Sequence, residues 1–128
     1  MGICSKDKAT DVEQVDGFEG RYADLGGYTV GWESFEDAMD PAELFVGLPD
    51  DACQSPHWGV VLSGAITFRY TDGTTEVAEA GQAYYAHPGH VPSIAGGTSL
   101  IEFSPTDDLA KTMEVVMRNA QAAAEGAR

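Results

Sequence analysis

The feature that most limits what this chain can fold into is the spacing of its turn signals between His57 and Ser104. Runs rich in β-branched and aromatic residues (HWGVVLSG, AITFRY, TEVAEA, QAYYA and TSLIEFS) are broken by Gly64, a TDGT turn, Gly81 and the segment HPGHVP, read as a loop. Breaks about every eight to twelve residues suit short antiparallel strands and leave no room for the crossover helices of a parallel sheet. Upstream, FEGRYADL and YTVGWESF read as two more strands, set off by Gly26-Gly27. Pro41, Pro49 and Pro56 keep the acidic stretch from Glu36 to Pro56 loop-like. The pattern predicts an all-β sandwich or small barrel over residues 17–104, with about six to eight strands.

The period changes after Ser104. Thr106-Asp107-Asp108 places acids in a first helical turn, where they suit the dipole, and Leu109, Met113, Val116, Met117 and Ala120 then recur at helical spacing. Residues 105–128 are therefore read as a C-terminal unit with a helix over 106–123, packed on the barrel or at a dimer interface. Residues 1–16 are polar and lack apolar period, and read as a loose arm.

A chain of 128 residues can build one modest core. Its 21 acidic and 7 basic residues give a net charge of −14, which argues against nucleic acid and against anionic membrane, since both need clustered Lys and Arg. Between Arg21 and Arg69 there is no basic residue at all. The apolar stretches are shorter than a membrane span, and MGICSK has Lys6 where a myristoylation pattern has Ser or Thr, so a cytoplasmic protein is expected. Cys4 lies in the polar arm, which favours free thiols over a Cys4–Cys53 disulfide.

With the strands placed, the stretch from Cys53 to Pro92 resembles the cupin superfamily, whose two motifs run G-x5-H-x-H-x3,4-E-x6-G and G-x5-P-x-G-x2-H-x3-N. WGVVLSG matches the strand and closing glycine of the first motif, with Gly64 as that glycine. His57 then falls where the family has its metal-binding Glu, and Cys53 and Asp51 fall where it has two histidines. The second motif stands as GQAYYAHPGHVPSIAG, from Gly81 through Gly89, with His87 for the proline, Pro92 for the metal-binding histidine and Gly96 for the asparagine. The resemblance implies a cupin-like jelly-roll β-barrel with a C-terminal α-helix. It carries over no standard ligand residue.

All three histidines fall inside these motifs, and Cys53 precedes His57 by one short turn. Imidazole and thiolate ligate zinc, iron, nickel or copper, so Cys53, His57 and His90 are the candidate set for one divalent ion. The alternative is no metal, with His57 a buried, hydrogen-bonded histidine and His90 a turn residue. In either case His57, His87, His90 and one of Tyr84 and Tyr85 are expected to line a small-molecule site; adjacent strand residues face opposite ways, so only one tyrosine can point in. In the cupin-like register that the resemblance implies, His57, Gly59, Val61 and Ser63 face the barrel interior, which sends Trp58, Val60 and Leu62 outward. That outward apolar row needs a cover, either the helix, the N-terminal strands or a second subunit, and a homodimer is expected. Two functions stay open: a small-molecule-binding cupin without chemistry, or a metal-dependent cupin enzyme (dioxygenase, isomerase or lyase).

Overall fold

The computed structural model describes residues 2–126. It contains nine strands: β1 (Asp11–Val15), β2 (Phe18–Leu25), β3 (Tyr28–Phe35), β4 (His57–Ser63), β5 (Ala65–Tyr70), β6 (Thr75–Glu79), β7 (Ala83–Ala86), β8 (His90–Ile94) and β9 (Thr98–Pro105). One helix, α1 (Thr106–Gly126), follows. The strands form two antiparallel sheets, one of six in the order β1-β2-β3-β9-β4-β7 and one of three in the order β6-β5-β8. Their inner faces enclose a core around Phe35, Val61, Ile66, Phe68, Ile94 and Leu100.

Two elements differ from the sequence reading. Asp11–Val15 lies within the segment read as a loose arm, yet it pairs with β2 as an edge strand. It is mostly exposed, so burial left no apolar period to read. The second half of HPGHVP, read as a loop, opens β8. Proline cannot donate to a ladder, but β8 is the edge of its sheet, where Pro92 opposite Phe68 is tolerated.

Parity along β4 is as expected: His57 and Val61 are buried, while Trp58 is 41% and Leu62 54% exposed. Across the inner face of the large sheet, Tyr22, Gly31, Glu102, Gly59 and Tyr84 stand side by side in register on β2, β3, β9, β4 and β7. On the outer face Trp58 stacks on Tyr85 at 5.1 Å and meets the edge of Tyr28 at 5.9 Å. Part of this face stays open, since Tyr85 and Phe103 also remain 49% and 40% exposed.

Helix α1 lies against the turn at Ala42–Phe45 and the ends of β9 and β3. Asn119 Nδ2 fastens it by donating to the carbonyls of Leu44 at 2.7 Å and Val46 at 2.8 Å. Only Thr112 of the helix is buried, because its apolar side faces a cavity instead of a packed core. No helix among the described residues is long and apolar enough to cross a membrane.

Candidate functional site

The cavity between α1 and the two sheets holds about 650 Å³, a ligand-sized volume. Leu109, Met113 and Val116 of the helix, with Phe18, Met39 and Phe45, make its apolar wall. Cys53, His57, His90, Glu33 and Glu102 gather at its polar wall.

Backbone pairing explains how His90 reaches this site from a non-ligand position of the motif. Cys53 N–H donates to the His90 carbonyl and Gly89 N–H donates to the Cys53 carbonyl, both at 2.8 Å. The PGH turn is thereby clamped onto Cys53. Gly89 has a φ of +92°, the left-handed conformation that this tight reversal needs. On the other side, Asp50 and Asp51 both take positive φ values, and the turn they form presents Cys53 inward. His57 comes in as the first residue of β4.

The three side chains are buried, and their ligand atoms lie within 4.8 Å of one another. Cys53 Sγ is 3.4 Å from His57 Nε2, and the two imidazole rings meet edge to face at 5.0 Å. Each ring is oriented through its far nitrogen. His90 Nδ1 donates to the His87 carbonyl at 2.7 Å, which leaves Nε2 its lone pair. Ser104 Oγ shares a hydrogen bond with His57 Nδ1 at 2.6 Å, and Glu102 Oε2 stands beyond hydrogen-bond reach at 3.8 Å. Burial pushes both histidines down to about 4, His90 further helped by its neighbour, so both imidazoles are neutral at physiological pH. The His57–Glu102 approach is accordingly not an ion pair. Burial raises the Cys53 thiol to about 11, which removes it as a free nucleophile.

The donor set suits a divalent ion by its chemistry, and one of its pairs has the spacing of a coordinated one. In tetrahedral coordination, sulfur and nitrogen ligands stand about 3.5 Å apart, close to the 3.4 Å between Cys53 Sγ and His57 Nε2. Imidazoles whose second nitrogen is held by a carbonyl or carboxylate are the usual arrangement around metal sites.

Of the remaining sequence candidates, His87 and Tyr85 lie elsewhere, while Tyr84 reaches the site through Glu102. His87 is exposed, stacked flat on Tyr70 at 3.8 Å, and lines a separate pocket with Tyr84 and Tyr85. Tyr84 points inward and Tyr85 outward, as parity requires. Four residues went unnoticed in the sequence: Glu33, Glu102, Tyr22 and Ser104. Tyr22 donates to Glu33 Oε2 and Tyr84 to Glu102 Oε1, each at 2.7 Å. Burial raises both carboxyl groups well above the usual range; Glu102 adds to the effect on Glu33, while the tyrosine bonds oppose it. The available signal was parity, since Glu33 shares the inward face of β3 with Gly31 and Phe35.

No family model and no curated protein matches the chain. Solved structures do match over most of its length. A structure of unknown function from Rhizobium leguminosarum bv. viciae 3841 superposes with a TM-score of 0.56 at 17% identity, covering 81% of this chain and 95% of that one. An RmlC-like cupin from Shewanella frigidimarina gives 0.53 at 17% identity, covering 79% and 88%. The fold is that of the cupins. The polyketide cyclase RemF from Streptomyces resistomycificus is also similar, with a TM-score of 0.54 at 14% identity and coverage of 82% and 79%. At these identities the cupin likeness describes the fold.

Proposed function

We propose that the protein is a small-molecule-binding cupin whose two sheets form a jelly-roll barrel and whose cavity carries one divalent ion on Cys53, His57 and His90. The observation behind this is the meeting of a thiol and two neutral imidazoles at the wall of a ligand-sized cavity. Zinc suits the mixed sulfur and nitrogen set, with iron, nickel and copper as the other candidates. When bound, such an ion supplies a Lewis acid with a position left for water or ligand. The chain's own residues would orient the ligands through Ser104 and the His87 carbonyl, and α1 covers one side of the cavity.

A second reading, a metal-dependent enzyme, is supported by the Glu33–Glu102 pair, carboxyl groups able to hold a proton beside the site. That favours an isomerase or lyase over a dioxygenase. The exposed Trp58, Tyr85 and Phe103 support a homodimer through the outer face of the large sheet, and we place the protein in the cytoplasm.

Plasma mass spectrometry after zinc loading tests the centre. The expected result is about one ion per chain, lost in His57→Ala with the fold intact by circular dichroism. Wild-type protein that takes up none of the four metals would overturn the metal assignment. Light scattering should give twice 13.6 kDa. A monomer at every concentration would overturn the dimer.

A further inference from the structure

The cavity has an unbalanced charge. Its lining includes Asp11, Glu13, Asp24, Glu33 and Glu102, and no lysine or arginine. Glu33 and Glu102 matter most because they lie on the inner sheet face at the polar wall. Each receives one hydrogen bond, from Tyr22 and Tyr84 respectively. Their second oxygens take no hydrogen bond from the described residues; Glu102 Oε2 has only the neutral His57 ring, at 3.8 Å. Carboxyl groups withdrawn from water without a cationic partner are costly to ionise, and an occupant that supplies the missing positive charge offsets that cost.

The pair is built into the sheet. Tyr22 lies across Gly31, where a Cβ would come within 2.8 Å of its ring, and Tyr84 lies across Gly59, where a Cβ would come within 2.5 Å. Glycine at these two inward positions lets the tyrosines lie flat and hand their hydroxyls to the glutamates. The opposite wall, from Leu109, Met113 and Val116 to Phe18 and Phe45, is apolar.

We propose that this cavity takes an apolar amine, its ammonium head against Glu33 and Glu102 and its hydrocarbon body under α1, and that it turns away carboxylates and phosphates. The inference rests on the reading of the cavity as a ligand site but not on the metal. A divalent ion held by one thiolate and two neutral imidazoles would bring a net charge of about +1, which the pair exceeds once an ammonium group has drawn both carboxyls into their ionised form.

Calorimetric titration of the full chain with octylamine, octanol and octanoate tests this, on EDTA-treated and zinc-loaded protein. The titrations are run at about 0.5 M NaCl, which screens attraction to the acidic surface. Octylamine should bind about tenfold or more tighter than octanoate, with octanol between them. Glu33→Gln, or Glu102→Gln if the first variant folds poorly, should shrink that gap to about threefold or less and leave octanol unchanged. Met113→Trp, which fills the apolar wall, should weaken all three. Octanoate binding as tightly as octylamine would overturn the amine proposal and leave the cavity as a ligand site. Failure of all three to bind would overturn both. A gap that survives both glutamine variants would show that the pair does not select the ligand.

Discussion

Replacing Glu33 by Gln should change how stability responds to pH, and the sign follows from the site. Glu33 sits on the inner face of β3, with Tyr22 donating to it from β2, Glu102 facing it from β9 and Glu13 facing it from β1. Burial first, and Glu102 second, push its carboxyl up from 4.5 to about 8. The folded state therefore holds this proton more tightly than the unfolded state does. A raised carboxyl costs nothing below the unfolded pKa, and its penalty grows as pH climbs from 4.5 through the folded value. One proton limits the slope to about 1.4 kcal/mol per pH unit, so between about pH 5 and pH 8 the ceiling is about 4 kcal/mol. Water entering the cavity screens part of this, and about 2 kcal/mol is the working figure. Glutamine keeps an acceptor for the Tyr22 hydroxyl and removes the titration. Urea denaturation followed by the fluorescence of Trp32 and Trp58 at about pH 5, 6, 7 and 8 would measure it. Wild type should lose about 2 kcal/mol more than E33Q across that range. Self-repulsion of the net charge of −14 acts almost equally on both proteins and largely cancels in the difference. Equal losses in the two proteins would refute the buried-carboxyl argument.

Three further outcomes follow from the packing. Gly59→Ala places a Cβ 2.5 Å from the Tyr84 ring and 2.8 Å from the Ile101 carbonyl, and should cost about 1–3 kcal/mol in urea denaturation. Leu100→Ala empties a side chain that is 2% exposed between the sheets and should cost about 2–5 kcal/mol by the same assay. Asn119→Ala removes the two bonds to Leu44 and Val46 and should lower stability by about 1–2 kcal/mol, with loss of helical circular dichroism at elevated temperature before the β signal.

Strand content was readable because alternation and turn residues act locally: FEGRYADL and YTVGWESF coincide with β2 and β3. The inward direction of His57 followed from the cupin-like register of its strand. His90 was harder, since its place beside Cys53 depends on backbone bonds between segments far apart in sequence. Imidazole chemistry and the place of His90 in the second cupin-like motif nonetheless point to it. Glu33 and Glu102 escaped notice because an acid in a strand normally faces water, and their inward setting depends on tyrosines and glycines contributed by β2, β3, β4 and β7. His87 shows the converse: membership of a motif brought it near the site in sequence, while the turn directs its ring onto Tyr70.

The position of α1 has a consequence for motion. Its apolar side spans a hollow, and its firmest attachments are the turn at Ala42–Phe45, held through the Asn119 side chain, and a few contacts with β9 and β3. Such a segment opens at low free energy compared with the strands beneath it. Amide hydrogens along Leu109–Val116 should therefore exchange much faster than those of β4 and β9 in the empty protein. A molecule seated in the cavity would supply the contacts that the helix lacks, so exchange protection there would report occupancy without any knowledge of what the occupant is.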